Sequence, residues 1–249
     1  MTADTMDRSS SKLARITGAL FLASLLVPML NWILVNAKLI VPNQPPETLH
    51  RVLANGFLFR LGLFNDLLTS TIAIGLAIAL YELLKTVHKP WARLALVLKS
   101  IEGGLMAVIA LVNFAAFLVV ADPGFPSSLE LAQAKGIAGL FFNTRMTLAA
   151  FPMLFLGLNF TIFLSLLHKS KFVPRLLAGF GVLSYALVFL YASLTLLLPE
   201  VAANLIVQSV CWAPSCLFEL LIGLLLLAKG IGIRRDFSVA ENPAGPTAS

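Results

Sequence analysis

Apolar residues fall along this chain in six long runs, separated by short segments that collect basic residues, Pro and Gly. A helix needs about 20 mostly apolar residues to cross a hydrocarbon layer. Residues 16–37, 103–121, 146–167 and 176–199 each reach that length without an ionisable side chain. Residues 67–81 are too few alone, so the second helix extends back toward Phe57 and takes in Asp66 and Arg60. The third helix begins ahead of its uncharged part, near Arg93. The sixth, residues 202–228, must contain Glu219, because neither flanking piece spans by itself. The predicted fold class is all-α: a polytopic integral membrane protein with six transmembrane helices. The first run exceeds the roughly 7–15 residues of a signal-peptide core and precedes no small-x-small cleavage site, so it is read as a helix of the mature protein.

Between the runs, Pro42, Pro45 and Pro46 exclude regular structure from the first half of the longest outer connection. Residues 47–55 suit a short helix on the membrane surface. Asp122-Pro123-Gly124-Phe125-Pro126 reads as a turn, and Ser127 with Glu130 as a helix start. The polar tail, residues 236–249, is expected to be disordered. This divides the chain into an N-terminal cytoplasmic segment (1–12), a six-helix transmembrane domain (13–233) and a cytoplasmic tail (234–249). No internal repeat emerges.

Charge then orients the bundle. Arg8, Lys12, Arg15, Lys85, Lys89, Arg93, Lys169, Lys171, Arg175, Lys229, Arg234 and Arg235 fall on one side; only Lys38, Arg51 and Lys135 fall on the other. The positive-inside rule places both termini in the cytoplasm, in a multi-pass protein of the plasma membrane. Composition agrees: charged residues make up 12% of the chain, about half the share of a soluble domain. The basic excess forms no stripe with interleaved aromatics, so nucleic acid is not a predicted partner; the lipid bilayer is. Cys211 and Cys216 stand five residues apart, about 140° around a helix, which disfavours a disulfide between them. No Cys/His set has metal-ligand spacing, and no metal or cofactor is predicted.

Six ionisable residues break the apolar runs or their edges: Arg60, Asp66, Lys99, Glu102, Arg145 and Glu219. Charge in hydrocarbon is costly and survives where it is paired, hydrated or used. At 1.5 Å per residue from the basic anchors, Asp66, Arg60 and Arg145 lie roughly 28, 37 and 34 Å from the cytoplasmic face. Glu102 and Glu219 lie roughly 13 and 15 Å in, with Lys99 just below. The charges therefore form an outer layer and an inner one. Arg60 and Asp66 face about 120° apart on one helix and should not pair; Asp66 with Arg145 of a neighbouring helix is the expected pair. Arg60 could instead reach the outer headgroups. Lys99 and Glu102, three residues apart, can pair locally. Glu219 is left without an evident counter-charge. Pro214 is expected to kink its helix one turn before Glu219, and Pro152 and Pro28, with Asn31, to act likewise in the fourth and first helices. Trp32, Trp91 and Trp212 suit interfacial anchoring.

Several of these stretches carry a resemblance. Phe59-Arg60-Leu61-Gly62 followed by Asp66, the Lys99-Ser100-Ile101-Glu102 step, Phe155-Leu156-Gly157-Leu158 and Ser170-Lys171-Phe172-Val173-Pro174-Arg175 resemble an uncharacterised bacterial membrane family, domain of unknown function 4386. The likeness runs from about Leu13 to Gly230, with Ala178 where the family pattern has Gly. It implies a six-helix membrane protein and supplies no activity.

The first functional expectation is a sensing or transport protein that binds a small or lipophilic ligand in a polar pocket between the second, third, fourth and sixth helices. Arg60, Asp66, Lys99, Glu102, Arg145, Glu219 and Trp212 would be its ligand-binding residues. The alternatives are an intramembrane enzyme acting on a lipid or isoprenoid, with Glu219, Glu102 and Asp66 as acid/base groups, and an accessory subunit whose charges only join helices. Within the six charges the functional expectation centres on the inner layer and Glu219.

Overall fold

The computed structural model describes residues 3–42, 44–121 and 131–229, with the side chains of 3–10, 131 and 146 left aside. The expected turn at 122–126, the helix start at 127–130 and the tail at 236–249 lie outside these residues. The fold is all-α. Helix α1 (Ala3–Asn31) continues through a π-helical turn, Trp32–Asn36, to a last turn ending at Leu39. There follow α2 (Pro45–Ala54), α3 (Gly56–Ala121), α4 (Leu131–Leu148), α5 (Ala150–Ser170), α6 (Arg175–Leu197), the single turn α7 (Pro199–Ala202) and α8 (Leu205–Lys229). Five stretches are long and apolar enough to cross a membrane: Ser11–Leu39, Gly56–Ala121, Ala132–Ser170, Arg175–Leu197 and Leu205–Lys229. In the most apolar windows of the first two, only 22% of residues are buried. So large an outward apolar surface is what a lipid phase, rather than water, accepts. The chain is a polytopic membrane protein.

The second and third expected helices are joined with almost no loop. Helix α3 has 66 residues and one non-helical position, His88, at φ −159° and ψ 92°. Pro90 explains the break, since it has no N–H and its ring clashes with the carbonyl four residues before it. His88 then caps the second arm, its Nδ1 accepting from the Trp91 N–H at 3.4 Å. The two arms fold back on each other. Gly103 makes room for this, because a Cβ there would stand 3.0 Å from Ile74 Cδ1. The expected fourth helix reaches farther back than residue 146: Ala149 stays right-handed helical (φ −62°, ψ −17°) with its N–H on the Arg145 carbonyl at 3.0 Å, so α4 leads into α5 and Arg145 lies in the last turn of α4. Helix α8 runs unbroken through Pro214. The connection from α5 to α6 turns on Lys171 in the left-handed region, φ 58°, with Pro174 extended before the new helix.

The helices form a ring: α1 packs on α3 and α8, α3 on α5, α5 on α6, and α6 on α8. The seam between α1 and α8 depends on Gly18, where a Cβ would come 2.6 Å from the backbone nitrogen of Leu227. Two hydrophobic clusters result. One gathers Phe21, Leu76, Phe163, Tyr185 and Phe218; the other gathers Val35, Val52, Phe59, Phe117 and Phe142. Helix α2 closes the second by burying Leu49 and Val52 and packing on α4.

Candidate functional site

The outer layer is built where α1 is distorted. Pro28 lacks the N–H that an α-helix would use, and the π turn follows it. In an α-helix, residues five apart lie about 140° around the axis. The widened turn instead lets Asn31 and Asn36 address the same ion pair. Arg145 Nη2 donates to Asp66 Oδ2, and both side chains are almost buried, 12% and 14% exposed. Asn31 Nδ2 donates to Asp66 Oδ1 at 2.9 Å and to the Gly62 carbonyl at 3.2 Å. Arg145 Nη1 donates to Asn36 Oδ1 at 3.4 Å. Gly62 permits this approach, because a Cβ there would stand 2.8 Å from Val35 Cγ1 and 3.4 Å from Asn31 Oδ1. Beside the pair lies a cavity of about 160 Å³, lined among others by Pro28, Trp32, Met106, Ala110 and Met153.

In the inner layer the Lys99–Glu102 pair is buried, whereas Glu219 and Ser24 are half-buried. Lys99 Nζ donates to Glu102 Oε1 at 2.7 Å, with the side chains only 4% and 10% exposed. The same ammonium stands 4.8 Å from the centre of the Phe160 ring, a cation–π contact favoured where water is excluded. Asn159 Nδ2 donates to the other Glu102 oxygen at 2.8 Å. Phe160 in turn stacks on Tyr185, ring centres 4.3 Å apart. The Tyr185 hydroxyl donates to Glu219 Oε1, and Ser24 Oγ lies 3.5 Å from Glu219 Oε2. Among the described residues no three His, Cys, Asp or Glu side chains converge as metal ligands would.

Both layers fall inside a single family match. The family model described as "Domain of unknown function (DUF4386)" matches residues 16–230. The chain belongs to this family. No curated protein and no solved structure matches it.

The DUF4386 span thus holds all six charges that the sequence singled out, and the bundle sorts them differently from one another. Asp66 and Arg145 meet, as do Lys99 and Glu102. Arg60 joins neither pair. It is exposed, with its guanidinium 5.2 Å from the centre of the Phe117 ring. Trp212 packs edge-on against Tyr191, ring centres 6.1 Å apart, and does not line the cavity. Glu219 has a partner that charge counting missed, Tyr185. The missed residues, Ser24, Asn36, Asn159 and Tyr185, are neutral polar side chains inside apolar runs, which was the only signal of them in the sequence. The cavity also departs from expectation. It adjoins the outer layer, and α1 rather than the last helix closes it.

Proposed function

We propose that this DUF4386 protein is a membrane-embedded binding protein for a small lipophilic molecule carrying one polar group. The observation that carries this reading is the cavity of about 160 Å³ walled by the Asp66–Arg145 pair. Drug-sized ligands occupy roughly 300–1,000 Å³, whereas a cavity of about 150 Å³ takes a single aromatic ring. The occupant is therefore ring-sized, or the end of a longer lipid. Both oxygens of Asp66 already accept hydrogen bonds. The guanidinium of Arg145 has five N–H groups and uses two in these contacts, so it offers donors to a carbonyl, hydroxyl or similar oxygen.

The cavity sits in the plasma membrane of our proposal, with α3 crossing twice about His88, six crossings in all and both termini cytoplasmic. The twelve basic residues on one side support that orientation. A role in sensing or transport belongs to this reading. The enzyme reading would use Glu219, Glu102 and Asp66, of which only Asp66 lines the cavity.

Mass spectrometry of the protein released from lipid-preserving detergent tests the proposal. Ala110→Leu, which fills the cavity from its wall, is expected to abolish the copurifying small molecule while keeping the melting temperature. Copurification unchanged by Ala110→Leu, or no bound molecule at all, refutes it. Turnover of a lipid substrate that Glu219→Gln abolishes would favour the enzyme instead.

A further inference from the structure

The inner layer contains an acid whose direct partners are neutral, and a count of hydroxyl protons shows what that permits. Lys99 and Glu102 answer each other at 2.7 Å. Glu219 is approached by Tyr185 from α6 and by Ser24 from α1, with Lys99 and Glu102 of α3 farther off and Cys216 on its own helix. The only acid of α7, Glu200, is exposed. Tyr185 is 1% exposed and gives its single proton to Glu219 Oε1. Ser24 also has one hydroxyl proton and two acceptors in reach: the Phe21 carbonyl at 2.9 Å and Glu219 Oε2 at 3.5 Å. It can serve one at a time.

Two states satisfy this geometry. With the Ser24 proton on the Phe21 carbonyl, the shorter contact, Oε2 is hydrogen-bonded only if the carboxyl carries a proton and donates it to Ser24 Oγ. With Glu219 ionised, the serine hydroxyl turns to Oε2, and the Phe21 carbonyl keeps its helical N–H. The first state leaves the layer neutral, and the second leaves it with one negative charge. That difference is large for a carboxyl set among apolar helices. The layer also holds an unused acceptor, since Asn159 is 0% exposed and its Oδ1 has no partner.

We propose that Glu219, Tyr185 and Ser24 form a one-proton exchange site. On release, the O–H bond of the Glu219 carboxylic acid breaks and the proton passes to water, leaving a carboxylate held by Tyr185 and the turned Ser24 hydroxyl. Uptake reverses both movements. Glu219 and Ser24 are both half-buried, so the site is not closed off as the Lys99–Glu102 pair is. The proton site goes beyond the binding role proposed above and does not need a cavity ligand to operate.

Infrared difference spectra of the protein in liposomes, alkaline minus acidic, provide the test. One protonated-carboxyl stretch per protein is expected to disappear between about pH 6 and pH 10, above the range in which exposed Asp and Glu titrate. Glu219→Gln should remove that band, Ser24→Ala and Tyr185→Phe should shift its frequency and midpoint, and Asp66→Asn should leave it in place. A band in that window that survives Glu219→Gln overturns the proposal, as does the absence of any carboxyl titrating between about pH 6 and pH 10. Should Glu219→Gln fail to fold, a frequency and midpoint unmoved by both Ser24→Ala and Tyr185→Phe overturns it equally. Ligand retention by the cavity is measured separately, so either proposal can fall while the other stands.

Discussion

Arg145 and Asp66 are 79 residues apart and join two helices, whereas Lys99 and Glu102 are three residues apart on one helix. The inner pair forms wherever its helix forms, because residues three apart share a face. It is then sealed by Phe160 and Asn159 and has no access to water of its own. The outer pair exists only once the bundle closes. It keeps a cavity beside it and takes two further partners, Asn31 at the end of α1 and Asn36 in the π turn. A locally formed pair thus anchors packing, and a pair made by tertiary closure leaves an open space beside it.

This contrast can be broken by substitution, and the largest effect is expected at the buried inner pair. Lys99→Met leaves Glu102 buried without its counter-charge, a loss that costs about 3–5 kcal/mol when a buried pair is split. Unfolding in detergent should show that loss, and the double variant Lys99→Met/Glu102→Gln should recover most of it. A double variant as unstable as the single would show that the charge pairing is not what matters there. Gly62→Ala comes next. Its Cβ meets Val35 at 2.8 Å, and such overpacking costs about 1–3 kcal/mol. The damage should be confined to the outer layer, so cysteine labelling near Asn36 should rise while sites beside Phe160 stay protected.

Arg145→Lys is expected to be milder than Lys99→Met. It keeps the charge next to a cavity that can hydrate it but loses the planar fork, at about 1.5–3 kcal/mol for one charge-assisted bond. A loss equal to that of Lys99→Met would erase the distinction between the layers. Smallest should be Arg60→Ala. Its exposed guanidinium on the Phe117 ring is worth about 0.5–1 kcal/mol, and neither layer should respond in labelling or melting.

Much of this architecture was legible because hydrocarbon makes charge conspicuous. Six ionisable residues in apolar runs could be ranked by depth from helix rise alone, and that ranking brought Asp66 to the level of Arg145. The short helix expected at 47–55 is observed as Pro45–Ala54; Pro45 and Pro46, read as excluding regular structure, instead occupy its first turn, where a missing N–H costs no hydrogen bond. Tyr185, Asn159 and Ser24 were not readable as partners, because neutral polar side chains are ordinary in membrane helices and their value depends on what faces them. The near-absence of a loop at His88 was missed for a related reason. Basic residues from Lys85 to Arg93 read as a connection, yet Pro90 needs only one non-helical residue to turn the chain.

By itself the sequence determined the class of protein and its family, and the apolar runs from which its helices are built, since run length and composition are properties of a single helix. The tertiary structure alone decided which helices are neighbours, that the cavity adjoins Asp66 and Arg145, and that Tyr185 reaches Glu219. Those outcomes rest on how helices rotate and approach, through contacts such as Gly18 against Leu227 and Gly62 against Val35. No periodicity within one helix encodes them.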